Sequence, residues 1–323
     1  MAMGGRDNVG VVVIGRNEGP RLLQCLRSVQ QFRSRAVYVD SGSSDDSTAI
    51  ARAQGFAVVS LDPWPPFTAA RARNAGLAYL LESYRGLSFV QFLDGDCLLQ
   101  TNWILTGTGF LERNQQIAIV FGRRRELYPE RSTFNALCDD EWDGAAGEVC
   151  ECGGDILARV DALRMAGGYR EHLIAGEEPE MCVRLRALGL RIWRLSEEMS
   201  LHDANLLTLR QWWRRTARAG HAYMQVYLIH RTSQHTIWGR NLIRAFFWSM
   251  LLPATATATI FIHPGIAAIG FVYPLQLIRL KRRQKSWARA LYSLLGKFAE
   301  AQGALNFLSR RMAGGKPILI EYK

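Results

Sequence analysis

Two aspartates separated by one glycine follow a short apolar run, in the sequence Asp94-Gly95-Asp96. Carboxylates at positions i and i+2 beyond a strand can present their oxygens together to a hard divalent cation such as Mg²⁺ or Mn²⁺. Such a cation usually shares its shell with substrate phosphates, so few protein ligands are needed. The same residue types also form ordinary acidic turns. The spacing alone leaves both interpretations open.

A second acidic feature is the pair Glu177-Glu178, which follows Gly176 and precedes Pro179. Adjacent carboxyl groups can raise the pKa of one member toward neutrality, and that member can then accept a proton. The same segment also suits the first turn of a helix, where carboxylates meet the positive end of the helix dipole. The two interpretations are compatible.

The elements that position these residues alternate between two patterns in the first half of the chain. Apolar runs predict strands at 9–14, 36–39, 57–61 and 88–93, with helical segments between them. This alternation predicts an α/β fold with a mostly parallel sheet flanked by helices. Asp40 and Asp94 then stand at strand ends, where open α/β sheets bind ligands. No G-x-G-x-x-G follows the first strand, which argues against a dinucleotide oxidoreductase.

Composition and charge narrow the class of protein further. With 323 residues, 48% of them apolar and 10% aromatic, the chain can form a large core and is not a disordered protein. The net charge of +11 is unevenly divided: residues 205–323 hold 18 Lys/Arg against Glu300 and Glu321, giving +16. Residues 1–204 hold 22 basic and 27 acidic side chains, giving −5. We therefore predict two regions, 1–204 and 205–323.

The basic region contains 34 consecutive residues without a charged side chain, Ala245 to Ile278. Nucleic-acid surfaces need exposed cations rather than a long apolar run, so we expect a membrane partner and no nucleic acid. Basic residues on both flanks predict an apolar hairpin at about 245–278, with its ends on the cytoplasmic side and a turn at His263-Pro264-Gly265. Its arms are short against the roughly 20 residues needed to span. Spanning, dipping into one leaflet, and burial in a soluble core all remain open.

An ordered set of motifs extends over about residues 9–230. In order, it comprises Asn17-Glu18, Val39 to Asp45, Ala72-Arg73-Asn74-Ala75-Gly76, Leu93 to Asp96, Gly153-Gly154-Asp155, Ala166 to Tyr169, Gly176 to Glu180, and Arg184-Leu185. Together these motifs resemble a family-2 glycosyltransferase with the GT-A fold. The resemblance implies that residues 1–204 form a catalytic GT-A domain, and the charge and hydropathy described above predict that residues 205–323 form a C-terminal helical, membrane-associated region.

The resemblance implies a nucleoside-diphosphate sugar as donor. Asp40 would hold the base or ribose with Asp45 close by, and Arg73 would approach the nucleotide or its phosphates. Asp94 would contact ribose or metal, and Asp96 would be the principal ligand of Mg²⁺ or Mn²⁺. Helix capping is the alternative role for Asp45 and, less strongly, Asp40. A salt bridge is the alternative for Arg73.

The resemblance also implies a catalytic base at Glu178, with Glu177 as the second candidate. Family members usually carry Glu-Asp at this point, and the glutamate at 178 departs from that pattern. His202, which follows a predicted strand, is a candidate third metal ligand or phosphate contact; an unligated histidine is the alternative.

The acceptor side of the cleft is assigned by the same resemblance. Gly154 and Asp155 would form it, with a glycine turn as the alternative for Asp155. Trp212 and Arg215 lie in Gln211-Trp212-Trp213-Arg214-Arg215, which is similar to the Gln-x-x-Arg-Trp element of processive relatives but has the tryptophan before the arginine. Interface anchoring is an equal alternative for these aromatic and basic residues.

The predicted activity is inverting transfer of a sugar, with UDP-sugar as the expected donor, to a hydroxyl of a saccharide or lipid-linked saccharide. The predicted setting is surface polysaccharide or glycolipid synthesis at the cytoplasmic face of a membrane. Two alternatives remain: a sugar–polyprenyl-phosphate synthase, and a non-catalytic membrane scaffold with the same fold.

Overall fold

The computed structural model describes residues 8–260 and 271–314. Internal contacts divide the chain into two units. The first comprises residues 1–131 and 138–205, and the second comprises residues 132–137 and 206–323. The grouping of residues 132–137 with the second unit was not anticipated from the sequence. The predicted turn at His263-Pro264-Gly265 lies outside the described residues.

The first unit is built from alternating strands and helices. Its strands are β1 (Val9–Gly15), β2 (Ala36–Asp40), β3 (Ala57–Ser60), β4 (Phe89–Asp94), β5 (Cys97–Leu99), β6 (Ile117–Glu126), β7 (Gly147–Val149), β8 (Ile156–Arg159) and β9 (Arg191–His202). Its helices are α1 (Pro20–Ser28), α2 (Ser47–Ala53), α3 (Ala69–Ser83), α4 (Trp103–Arg113), α6 (Val160–Ala166) and α7 (Glu177–Ala187); α5 (Thr133–Glu141) begins in the segment grouped with the second unit.

These strands form one sheet with the order β3-β2-β1-β4-β8-β6-β9-β5, and β7 pairs with β9. The strands from β3 to β4 are parallel, as the alternation predicted. Beyond β4 the sheet is mixed, because β8 is antiparallel to both β4 and β6 while β6 and β9 are parallel. The carboxyl ends of β1, β2 and β4 consequently meet at one edge, which carries Asp40 and Asp94.

Both faces of this sheet are covered, and β1 shows why its sequence is a continuous apolar run. Val11 and Val13 lie in one buried cluster with α1, whereas Val12 and Ile14 lie in a second cluster with α3. Side chains alternate between the two faces of a strand, so a strand buried on both sides needs apolar residues at every position.

The second unit is helical. Its helices are α8 (Leu209–His230), α9 (Gly239–Phe246), α10 (Leu252–Ile260), α11 (Val272–Gln284) and α12 (Trp287–Met312), and a π-helical turn (Phe247–Leu251) joins α9 to α10. Thr208 caps α8 in a reciprocal capping box with Gln211. Helices α8 and α12 approach closely at two glycines: a Cβ on Gly220 would lie 1.9 Å from Glu300 O, and one on Gly303 would lie 1.8 Å from Ala217 O. Only glycine permits this backbone contact.

The segment predicted as an apolar hairpin is described only in part. Pro253 is the second residue of α10, directly after the π-helical turn, and Pro274 lies in the first turn of α11. At Pro274 the missing N–H would be unpaired in the first helical turn anyway. Pro253 follows a π-helical turn, where the regular hydrogen-bond pattern of the helix is already interrupted. No helix within residues 8–260 and 271–314 combines the length and apolar character that crossing a membrane requires.

Candidate active site

The loop after β4 presents two carboxylates in different environments. The Asp94 side chain is 29% exposed, whereas Asp96 is buried. Gly95 lies between them and donates its N–H to Ile14 O at 2.8 Å. A Cβ at position 95 would lie 3.1 Å from the same oxygen, so a residue without a side chain suits this approach to β1.

His202, at the end of β9, lies beside Asp96 because β9 pairs with β5 through Cys97 and His202. Its Nε2 is 3.3 Å from Asp96 Oδ2. Burial, and secondarily the charge of Arg124, lower the pKa of His202 to about 4, so the imidazole is neutral at pH 7. Among the described residues, its buried Nδ1 has no hydrogen-bond partner.

These atoms fit a divalent cation. Ligand atoms of Asp96, Cys97 and His202 lie within 4.8 Å of one another. A neutral imidazole with a free lone pair and a carboxylate are both suitable ligands for such an ion. Burial raises the pKa of Cys97 well above its usual value, so this side chain stays a thiol and is a poor ligand. The structure therefore places predicted ligands Asp96 and His202 together.

Asp94, the third predicted ligand, is held by two arginines. Arg73 Nη2 lies 2.9 Å from Asp94 Oδ1, and Arg124 Nη2 lies 3.7 Å from Asp94 Oδ2. Its ligand atoms also group with those of Cys97 and Asp155 within 4.8 Å. The carboxylate is thus already charge-paired from two sides.

Arg73 connects three acidic side chains. It lies on α3, is 2% exposed, and uses Nη1 to bind Glu177 at 2.9 Å and Glu178 at 2.8 Å while Nη2 binds Asp94. Helix α3 can lie against β1 because Gly76 has no Cβ, which would otherwise lie 2.4 Å from Val12 Cγ1. The structure shows Arg73 in buried salt bridges rather than in the surface salt bridge that was its alternative role, and the contact with the nucleotide stays a prediction.

The glutamate pair begins α7, as the sequence predicted, and both side chains are buried. Burial and the neighbouring charge of Glu177 raise the pKa of Glu178 to about 7, against the opposing effect of Arg73. A carboxyl group with this pKa is available as a proton acceptor near neutral pH. Arg184, on the same helix, pairs with Glu180, another acid of its first turn, at 2.7 Å.

Asp155 is buried and accepts a hydrogen bond from the backbone of the acidic loop. It is 1% exposed, accepts a hydrogen bond from Asp94 N at 3.0 Å and one from Ser200 Oγ at 2.7 Å, and pairs with Arg124 at 3.0 Å. Burial alone would raise the pKa of Asp155, but Arg124 and these hydrogen bonds outweigh it and lower the pKa. This placement suits a residue that positions Asp94 more than one that contacts an acceptor.

Gly154 was also predicted to lie on the acceptor side. It leaves space for the ion pair between Arg73 and Asp94. A Cβ there would lie 2.4 Å from Arg73 Nη2 and 2.9 Å from Asp94 Oδ2. The position therefore requires glycine as long as Arg73 and Asp94 remain paired.

The loop after β2 is organised by Asp40. Its buried carboxylate accepts hydrogen bonds from Tyr38 OH, Gly42 N, Ser43 N and Ser43 Oγ at 2.5–3.0 Å. Asp45 is exposed and accepts from Ser47 N, the first residue of α2, at 3.0 Å. Both residues thus shape the loop and helix start, and the exposed Asp45 keeps a free oxygen at the sheet edge.

Trp212 and Arg215 lie on α8 in the second unit. Trp212 is 6% exposed and packs against Phe134, at 6.1 Å between ring centroids, and against Tyr292 at 5.0 Å. This aromatic cluster forms part of the core of the second unit, and Arg215 is half-buried beside it. Trp212 and Arg215 thus belong to the second unit and the acidic cluster to the first, and the acceptor-side role of these two residues stays a prediction.

Three site residues were missed from the sequence. Arg124 pairs with Asp94 and Asp155, and Ser200 donates a hydrogen bond to Asp155. Trp142 meets His202 edge to face, with 4.8 Å between ring centroids, and Arg124 lies over the Trp142 ring at 5.5 Å. Arg123-Arg124-Arg125 was the one available signal, since three adjacent arginines on a strand are unusual. Ser200 and Trp142 carry no local signal, because only strand pairing and loop packing bring them here.

The mixed sheet flanked by helices, with its acidic edge, agrees with the GT-A fold expected from the motifs. Residues 10–145 match the family described as glycosyl transferase family 2. Residues 10–145 therefore form a family-2 glycosyltransferase domain, which confirms the resemblance found in the motifs.

Solved structures give the same fold. The chain is similar to the mannosyltransferase PcManGT from Pyrobaculum calidifontis in complex with GDP-Man and Mn²⁺, with a TM-score of 0.64 and 17% identity over 92% of this chain and 87% of that one. It is also similar to M. tuberculosis glucosyl-3-phosphoglycerate synthase, with a TM-score of 0.50 and 19% identity over 69% and 80% of the two chains. At these identities the similarity establishes fold alone.

Proposed function

We propose that the protein transfers a sugar from a nucleoside-diphosphate sugar to an acceptor hydroxyl with inversion at the anomeric carbon. The observation that carries this proposal is the Glu178 carboxyl, held by Arg73 and given a pKa of about 7, in a network that also holds the acidic loop. A base of this pKa matches general-base chemistry at neutral pH.

In the proposed reaction, Glu178 accepts the proton of the acceptor hydroxyl. The oxygen then forms a bond to the anomeric carbon on the face opposite the nucleotide, while the bond from that carbon to the diphosphate oxygen breaks. The nucleoside diphosphate leaves with the bonding electrons. Arg73 holds the base at a fixed place relative to Asp94, and such positioning is a large part of catalysis by proton transfer.

Asp96 and His202 would hold Mg²⁺ or Mn²⁺ in this site. When bound, the cation neutralises charge on the diphosphate, which makes it a better leaving group. Support comes from the neutral imidazole of His202, from its Nε2 at 3.3 Å from Asp96 Oδ2, and from the Mn²⁺ in the mannosyltransferase complex.

For the donor we propose a UDP-sugar, with GDP-mannose, the donor in the mannosyltransferase complex, as the competing candidate. For the acceptor we propose a saccharide or lipid-linked saccharide in surface polysaccharide or glycolipid synthesis. A hydroxyl must lose its proton during attack, whereas a lipid phosphate is already ionised. The raised pKa of Glu178 therefore favours a hydroxyl acceptor over a polyprenyl phosphate.

Product analysis tests this proposal directly. The full chain is incubated with Mn²⁺, a panel of UDP- and GDP-sugars and saccharide acceptors, while released nucleoside diphosphate is measured. The anomeric configuration of the product is then determined by NMR. We expect release from one donor class and a product inverted at the anomeric carbon. Retained configuration would contradict the mechanism, and no turnover of any donor by folded protein would favour the non-catalytic scaffold.

A further inference from the structure

The second unit exposes an apolar stripe along the segment formed by α9, the π-helical turn and α10. Residues three or four apart share one side of a helix. The exposed side carries Ile243, Phe247, Met250 and Leu251, which are 40–69% exposed. The other side packs inward through Leu242, Ala245 and Leu252, each at most 7% exposed.

Helix α11 repeats this arrangement. Phe271, Leu275 and Ile278 follow one another at intervals of four and three residues and are 70%, 64% and 41% exposed. The exposed arginines 279, 282 and 283 follow these apolar residues in the C-terminal part of the helix. The two segments touch, since Tyr273 OH donates a hydrogen bond to Trp248 O at 2.5 Å and the two rings are 5.8 Å apart.

Basic side chains stand at matching places in both segments. Exposed Arg240 and Arg244 stand at the start of the first apolar stripe, before and after Ile243, and the three arginines of α11 follow the second stripe. In sequence, the basic residues therefore stand at the N-terminal end of the first segment and at the C-terminal end of the second. Opposing charge is scarce in this region: Glu300 is one of two acids after residue 205, and it pairs with Lys297 at 2.7 Å.

We propose that this apolar–basic surface docks the protein on a membrane leaflet rich in anionic lipid. It comprises Ile243, Phe247, Met250, Leu251, Phe271, Leu275 and Ile278 with Arg240, Arg244, Arg279, Arg282 and Arg283. The apolar side chains enter the boundary between headgroups and acyl chains, and the arginines bind lipid phosphates. The cytoplasmic leaflet carries such lipids, which places the protein at that face.

Charge complementarity favours an anionic membrane over a protein as the partner of this surface. A protein partner would need an acidic group for each of the five arginines, whereas protein interfaces are depleted of aspartate and glutamate. An anionic bilayer offers phosphates to every arginine at once, and each basic residue near such a surface strengthens binding about five-fold. The proposal concerns docking alone and stands independently of the proposed reaction.

Vesicle flotation of the full chain tests the proposal. Vesicles of phosphatidylcholine with phosphatidylglycerol are compared with vesicles of phosphatidylcholine alone. We expect binding to the anionic vesicles that weakens as salt is raised from 0.15 to 1 M, because salt screens the charges. Arg279→Gln/Arg282→Gln/Arg283→Gln should lower the partition coefficient about 100-fold, and Phe247→Ser/Leu275→Ser should lower it at least ten-fold.

Matched controls come from the first unit. Exposed Arg113→Gln and Leu188→Ser should leave vesicle binding unchanged, and circular dichroism checks that every variant is folded. Nucleotide binding by the docking variants should equal that of wild type, which separates this test from that of the reaction. No binding to anionic vesicles, or equal binding by wild type and both docking variants, would overturn the proposal and favour a protein partner or second copy.

Discussion

Replacing Arg73 by methionine is expected to lower the free energy of unfolding by about 3–5 kcal/mol and to abolish sugar transfer. The substitution leaves the buried Glu177 and Glu178 and the partly exposed Asp94 near one another without the arginine that they share. Removing one partner of a buried ion pair is costly because the remaining charges have no compensation. Thermal and denaturant unfolding, with nucleotide release as the activity readout, measure both effects.

Two further variants make the Arg73 result specific. Arg73→Lys keeps the charge but cannot bind three carboxylates through a planar guanidinium, so we expect an intermediate stability and weak activity. Arg85→Met alters an exposed arginine just beyond the same helix and should be neutral. Wild-type stability and turnover in Arg73→Met would show that the network around Arg73 does not organise the site.

Replacing Glu178 by glutamine is expected to reduce kcat by about 10²–10⁴ while nucleotide binding is retained, because the proton acceptor is lost. In the wild type, the pKa of Glu178 near 7 predicts that the rate rises as pH increases through 7, where the carboxyl ionises. Below that pH the rate should fall about ten-fold per unit. The step should disappear in the variant. Steady-state rates between pH 5 and 9 measure it.

The Glu178 variant should remain folded. In the wild type, folding raises the pKa of Glu178 from 4.5 to about 7, so ionisation of Glu178 lowers the stability of the fold as pH rises through this range. A neutral glutamine does not ionise and avoids this loss of stability. Glu112→Gln, an exposed change on α4, is the matched control and should keep the wild-type rate and pH profile. Nearly unchanged activity in Glu178→Gln would instead support a phosphate acceptor and the sugar–polyprenyl-phosphate synthase.

Much of the first unit could be predicted because its signals are local. Continuous apolar runs such as Val9 to Ile14 identified strands buried on both faces, and the helices between them followed from periodicity and capping. The mixed half of the sheet was not visible, since β8 and β9 pair with strands distant in sequence. Periodicity reports the type of an element and not its partner.

In the candidate site, too, the sequence identified residues from local patterns but not the contacts that they make. Asp94, Asp96 and the glutamate pair stood out through spacing, because acidic residues cluster at strand and helix ends there. Arg73 and Asp155 were found, but their function in holding other acids depends on burial, which no short motif encodes. Arg124 reaches the site only through the pairing of β6 with β9.

The central claim is that Asp96 and His202 hold the cation required by a nucleoside-diphosphate donor. Calorimetric binding of UDP and GDP, with and without Mn²⁺, to wild type, Asp96→Ala and the exposed control Asp62→Ala tests it most directly. We predict metal-dependent binding of one nucleotide to wild type and control, and at least a ten-fold loss in Asp96→Ala. Binding that needs no metal, or no binding of either nucleotide by folded wild-type protein, would contradict the claim.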